Sequence, residues 1–124
     1  MTTPLAFVCY ERLLPGSQLV NRLQDLGYRT QVVEDLTRLV ELAEREKPML
    51  LVADLAAGAT DICAVIRSLK KNASTRHIPV LAFTGQANTE LQTAARQAGA
   101  TLVAVEDAIL SQLPQLLEQV LQVD

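Results

Sequence analysis

The sequence predicts an α/β domain in which a five-stranded parallel sheet is wound with helices on both faces. Three observations predict it. Five short apolar runs alternate with five stretches whose apolar residues recur at helical spacing. The clearest of these runs are apolar throughout rather than at every second residue, the pattern of strands buried on both faces. The chain has 124 residues, the size of a single domain with one sheet and its covering helices, spanning 1–124. Right-handed crossovers then favour the doubly wound, flavodoxin-like strand order 2-1-3-4-5.

Each element has its own justification. Leu5 to Tyr10 is the first buried strand. Pro15 to Leu26 carries Leu19, Val20, Leu23 and Leu26 on one helical face, and Gly27 supplies the left-handed stop. Thr30 to Val33 is a short second strand. Asp35 is a plausible N-cap for a helix whose inner face is Leu36, Leu39, Val40 and Ala43, ended by Pro48. Met49 to Ala53 is the third strand, closed by Asp54. Ile62, Val65, Ile66 and Leu69 form the next helical face, with Lys70 and Lys71 in the last turn, where positive charge complements the helix dipole. Pro79 to Phe83 is the fourth strand, ended by Thr84-Gly85. Thr89 with Gln92 fits a capping box for a helix that buries Leu91, Ala94, Ala95 and Ala98 and stops at Gly99. Thr101 to Val105 is the fifth strand. Leu113, Leu116, Leu117, Val120 and Leu121 form the last stripe, on a helix starting near Ser111 because Pro114 fits only a first turn.

Composition narrows the function classes. With 49% apolar and 20% charged residues the chain has enough apolar surface to fold, which excludes intrinsic disorder. Two cysteines are too few for a disulfide scaffold, and no apolar run approaches the roughly 18 residues of a membrane span. The first residues lack the pattern of a secretory signal, so the expected location is the cytoplasm with Cys9 and Cys63 reduced and buried. A net charge of −3 and 3% aromatic residues argue against nucleic acid as partner. The single histidine, His77, rules out a multi-histidine metal site within one chain and reads as an exposed loop residue. The segment after the first strand has one glycine, Gly16, which argues against a phosphate-binding P-loop or a dinucleotide site.

In a doubly wound sheet the functional crevice lies outside the carboxyl ends of the strands. Topology alone therefore selects Tyr10, Glu11, Asp54, Thr84 and Glu106. A carboxylate ending a central buried strand has three roles open to it: phosphate acceptor, metal ligand or cap on the following loop. The Thr84 hydroxyl is placed to bond a phosphoryl oxygen or, more simply, nearby backbone. Glu11 offers an oxygen to a hard cation such as Mg²⁺, or is a solvated loop residue.

These residues resemble the receiver domain of bacterial response regulators, the CheY-like fold, over essentially the whole chain. Thr84 follows Asp54 by 30 positions and Glu106 follows Thr84 by 22, intervals that fit the family without a gap. Thr75-Arg76-His77-Ile78-Pro79-Val80-Leu81-Ala82-Phe83-Thr84 is similar to the family's approach to its fourth strand, and Gln97-Ala98-Gly99-Ala100 to its approach to the fifth. The resemblance implies a phosphoaccepting role for Asp54 and a phosphoryl contact for Thr84. The family's acidic pair falls on Tyr10 and Glu11, or on Cys9 and Tyr10 after a one-residue shift. Its lysine position is Glu106, and the proline that normally follows is Asp107. Gly58 replaces a loop proline, Ile62 a glycine, and Val103 the aromatic switch residue.

Two unit charges 4 Å apart repel by roughly 1 kcal/mol in water and roughly 4 at an effective dielectric of 20. Glu106 near Asp54 therefore opposes a phosphoryl group where a lysine would hold it. The expectation is a pseudo-receiver that is not an enzyme. It requires no cofactor, and any Mg²⁺ bound through Glu11 and Asp54 is held weakly. It acts in trans on signalling proteins such as a histidine kinase or an output protein. The face of the fourth helix, fifth strand and last helix is the candidate partner or homodimer surface, with Arg96, Gln112, Gln115, Glu118, Gln119 and Gln122 outward. The alternative is a single-domain response regulator phosphorylated on Asp54 with Mg²⁺.

Overall fold

The structure is a computed structural model and describes residues 4–9, 13–33, 38–55, 62–84 and 89–122. Its strands are β1 (Leu5–Cys9), β2 (Arg29–Val32), β3 (Leu50–Asp54), β4 (Val80–Thr84) and β5 (Leu102–Val105). They form one parallel sheet in the order β2-β1-β3-β4-β5, as the sequence predicts. The helices are α1 (Leu13–Asp25), α2 (Leu39–Glu46), α3 (Ile62–Lys71), α4 (Thr89–Ala98), α5 (Glu106–Ser111) and α6 (Leu113–Gln122).

Alternation along the buried strands splits the interior into two cores. Phe7, Cys9, Leu51, Ala53, Val80 and Ala82 pack with Leu39 and Ala43 of α2, Ile66 and Leu69 of α3, and Ala95 and Ala98 of α4. Ala6, Val8, Leu50, Val52, Leu81 and Phe83 face the other way, onto Leu19 and Leu23 of α1, Ile109 of α5 and Leu113, Leu117 and Val120 of α6. Strands β1, β3 and β4 are buried along their whole length, which is why they read as unbroken apolar runs. The edges β2 and β5 are only partly covered.

Several boundaries differ from the sequence expectation, each for a local reason. Helix α1 ends at Asp25, and Leu26 enters the turn in which Gly27 N–H donates to the Gln24 carbonyl. Leu26 is therefore 43% exposed rather than part of the apolar stripe. Strand β2 begins at Arg29, whose N–H donates to the Pro4 carbonyl, while Val33 lies past its end but stays buried. Arg38 sits at the N-cap of α2, and the expected cap Asp35 and inner-face Leu36 lie outside the described residues. Strand β3 starts one residue late and includes Asp54; Met49 is left 48% exposed. Strand β4 likewise runs through Thr84. Thr89 is the first helical residue of α4 rather than its cap.

The C-terminal segment is two helices instead of one. Helix α5 starts directly after β5, and Gln112 N–H bonds the Ala108 carbonyl before α6 begins at Leu113. Pro114 occupies the first turn of α6, where no N–H is needed.

Two glycines with positive φ close helices, Gly27 at 94° and Gly99 at 119°. A Cβ on Gly27 would meet nothing, whereas one on Gly99 would lie 2.6 Å from Lys70 Cγ. Lys70 cannot easily withdraw, because its ammonium donates to the Ile78 carbonyl at 2.7 Å and the Arg76 carbonyl at 3.2 Å. Gly99→Ala is expected to cost about 2–3 kcal/mol and Gly27→Ala about 1 kcal/mol in urea denaturation. Equal costs would show that the lysine stem moves aside freely.

Burial pushes the Cys9 thiol from its ordinary 9.0 up to about 12. A folded-state value above the unfolded one stabilises fully below pH 9 and is lost as pH rises toward 12. At about 1.4 kcal/mol per pH unit, native protein is expected to lose about 2 kcal/mol from this thiol between pH 9 and 10.5. Tyr28, also raised by burial, adds to the loss above pH 10, while Lys70, lowered by burial, opposes it below 10.5. Urea midpoints at pH 8 and 10.5 check this: Cys9→Ala should flatten the decline.

Candidate functional site

The carboxyl ends of β3, β4 and β5 bring three of the predicted positions into one row. Asp54 pairs with Phe83 on β4, and the Leu55 N–H continues that ladder to the Phe83 carbonyl at 2.8 Å. Thr84 therefore stands one residue farther along the adjacent strand, which runs about 5 Å away. Thr84 in turn pairs with Val105, so Glu106 follows immediately beyond β5. Asp54 is 0% exposed and Thr84 3% exposed, the two buried polar residues that end central strands. A carboxylate removed from water is tolerated only where hydrogen bonds or charges compensate it, which sets Asp54 apart from its apolar strand neighbours.

Glu106 does not end a strand. It is the first residue of α5, with Val105 in extended conformation at the N-cap and no side-chain cap. Two acidic residues, Glu106 and Asp107, open the helix, the residue type that its N-terminal partial charge favours. The strand positions of Asp54 and Glu106 are two strands apart, about 10 Å.

Tyr10 and Glu11 lie outside the described residues, as does Gly58. Cys9 is inside the α2–α4 core with Phe7 and Ala53, and its thiol stays protonated through neutral pH. It is a packing residue, as is Cys63 at the start of α3, and neither forms a disulfide. Among the described residues no group of three His, Cys, Asp or Glu side chains is clustered to hold a metal ion. His77 is exposed in the α3–β4 connection. Ile62 is buried, and Val103 packs partly buried against the same core as α4.

Sequence reasoning missed the residues that hold β4, and with it Thr84, in place. Thr75 is fully buried and its Oγ1 donates to the Leu69 carbonyl at 2.7 Å, folding the connection back on α3. The Thr101 hydroxyl accepts from the Val80 N–H at 3.1 Å. Lys70 does not simply complement the α3 dipole; its ammonium bonds the connection's carbonyls. The Thr75-to-Phe83 motif contains this information, but only as a pattern whose cause is tertiary.

No protein-family model matches the sequence, and no curated protein matches it either. Solved structures do. The receiver domain of a sensor histidine kinase from Pseudomonas aeruginosa, with a magnesium ion in its active-site cleft, superposes with a TM-score of 0.86 at 20% identity, covering 98% of this chain and 100% of that one. The activated N-terminal receiver domain of Klebsiella pneumoniae RstA gives 0.82 at 18% identity, covering 96% and 99%. A response regulator from Burkholderia pseudomallei, with a phosphorylated aspartic acid, gives 0.79 at 20%, covering 97% of this chain and 67% of that one. In strand order, helix placement and nearly its whole length, this chain has the fold of response-regulator receiver domains.

Proposed function

We propose that the chain is a receiver-like signalling module of two-component, phosphorelay type that acts by binding other proteins, with phosphorylation at Asp54 weak or absent. One observation carries the reading: Asp54 and Thr84 end adjacent strands, while the place that the family gives to a lysine belongs to Glu106, at the start of α5. Phosphorylation would join an Asp54 carboxylate oxygen to phosphorus as the donor's leaving group departs. The product carries more negative charge than the carboxylate, so it needs a cation beside it. Glu106 supplies the opposite sign.

Asp54 suits one coordination position of Mg²⁺, and Glu11 is the proposed second. Divalent affinity follows ligand charge, so two carboxylates hold the ion weakly. Partners are signalling proteins, a histidine kinase or an output protein. The surface offered to them or to a second copy is α4, the β5 edge and α6, where Arg96, Gln112, Gln115, Glu118 and Gln119 are exposed. This role is one of binding rather than catalysis, and its place is the cytoplasm. No described helix is long and apolar enough to cross a membrane. A second reading, an active response regulator phosphorylated on Asp54 with Mg²⁺, draws support from the retained strand-end positions of Asp54 and Thr84 and from the phosphorylated aspartic acid in the Burkholderia protein.

Intact-mass measurement after incubation with a small phosphodonor and Mg²⁺ separates the two. Little or no gain of one phosphoryl mass is expected; full labelling that disappears in Asp54→Asn would establish the second reading. In an NMR titration, Mg²⁺ is expected to half-saturate only at about millimolar concentration or beyond. Saturation in the tens of micromolar centred on Asp54 would overturn the weak-site reading.

Restoring the missing charges tests their role. Tyr10→Asp adds a carboxylate for the metal, and Glu106→Lys replaces a repulsive charge with a cation. Each alone should label poorly and the pair well, because groups serving one site couple non-additively. Asp54→Asn added to the pair should abolish labelling. A folded double variant that stays unlabelled would shift the cause away from charge.

A further inference from the structure

We propose that the end of the domain opposite Asp54 is a docking surface for an acidic segment of a partner protein, a reading that goes beyond the proposed function and does not depend on phosphorylation.

In a parallel sheet, α2, α3 and α4 all finish at the edge where the strands begin. Their last turns, and the loops that follow, carry Arg45 and Lys47, Lys70 and Lys71, Arg76, and Arg96. On the same ends stand two acids, Glu44 and Glu46, so these three helix ends and their loops have an excess of four positive charges in a chain whose total is −3. Three helix C-termini contribute roughly −0.5 each, which offsets less than half of that excess. Arg45, Lys47, Lys71, Arg76 and Arg96 are exposed, and among the described residues none is in an ion pair.

The row is held in shape. Asn72 Nδ2 donates to Glu44 Oε1 at 3.2 Å, tying the end of α3 to α2. The Lys70 ammonium is spent on the Ile78 and Arg76 carbonyls, which fixes the loop presenting Arg76. Lys47 is fixed at φ 51° by its N–H bond to the Ala43 carbonyl. Beyond the end of α2 the chain also presents Met49, 48% exposed just before β3.

Three adjacent helices at about 10 Å spacing make a cationic row about 20 Å long. That is the length of about six or seven extended residues. Glutamates on such a segment match the cations, and one apolar side chain matches Met49. The surface suits a polypeptide better than the other polyanions. Among the described residues no exposed aromatic side chain is available to stack on bases. Glu44 and Glu46 within the row would be repelled by an anionic bilayer, whereas a peptide can place a basic or neutral residue against them.

The test uses the full chain and a fluorescent acidic peptide of about seven residues, glutamates around one leucine. Anisotropy should show binding at about 50 mM salt that weakens about tenfold by 300 mM. In the NMR spectrum, peptide-induced shifts should centre on residues 45–49 and 70–77. The combined variant Lys47→Glu, Lys71→Glu, Arg76→Glu should weaken binding at least about tenfold. Arg38→Glu, the same charge change at the opposite end of α2, should change it less than about twofold. If the triple variant does not fold, the single variants Lys71→Glu and Arg76→Glu should each weaken binding. The proposal is overturned by no binding below millimolar peptide, or by equal effects of Arg38→Glu and the basal variants. It is also overturned if anionic vesicles or a single-stranded oligonucleotide bind at this edge and the peptide does not.

Discussion

A parallel sheet buried on both faces forces a polarity on the whole molecule. Every strand ends at one edge and every helix returns to the other, so the two edges collect different chemistry. At the carboxyl edge the strands run out of apolar residues, and Asp54 and Thr84 are the buried polar groups that remain there. At the opposite edge the helices end, and their C-terminal partial charges gather basic side chains. Neither edge needs a special local motif to exist. Each follows from the right-handed crossovers that keep all five strands parallel.

The carboxyl edge shows how narrow the difference is between a phosphoacceptor and a buried acid. Under the proposed function the scaffold needs two strand ends side by side, and the β3–β4 ladder places Asp54 and Thr84 within one strand spacing. Backbone geometry supplies position but not sign. Transfer needs positive charge where negative charge develops, and in this chain the third strand end leads into Glu106 and Asp107. The start of α5 directly at Glu106 gives those acids a second rationale, since they stand where a helix N-terminus welcomes them. A single feature thus accounts both for the short helix α5 and for the two acids that follow β5.

The sequence disclosed the sheet because β1, β3 and β4 are buried on both sides, and such strands are apolar at every position. It disclosed Asp54 and Thr84 because a polar residue at the end of such a run stands out. Edge elements were less legible: β2 contains Arg29, Thr30 and Gln31, so composition could not fix its start. The split between α5 and α6 was hidden because Gln112 breaks the helix by backbone geometry, with no glycine to mark it. Leu26 and Met49 read as core residues from spacing alone, yet Leu26 lies in the turn after α1 and Met49 just ahead of β3, outside the periodic elements. Lys70 was legible as a helix-end cation but not as a clamp, because its partners are the carbonyls of a loop whose path is set by Thr75.

The two edges are joined most directly by β4, and its fixation constrains how they can communicate. Its entry is held by the Leu51 N–H on the Pro79 carbonyl and by the Thr101 hydroxyl on the Val80 N–H. The preceding loop is held by Lys70 and Thr75. Its exit carries Thr84. Sliding β4 by one residue would turn Leu81 and Phe83 into the opposite core and strand Val80 and Ala82 against α6, which the packing on both faces forbids. Communication between Asp54 and the basic edge through strand register is therefore excluded. The other connection between the edges is α3, which begins after the segment that follows Asp54 and ends in the basic row. Its basic end is pinned, by the Asn72 bond to Glu44 and by the Lys70 bonds to the Arg76 and Ile78 carbonyls, and its buried Ile66 and Leu69 seat it on the sheet.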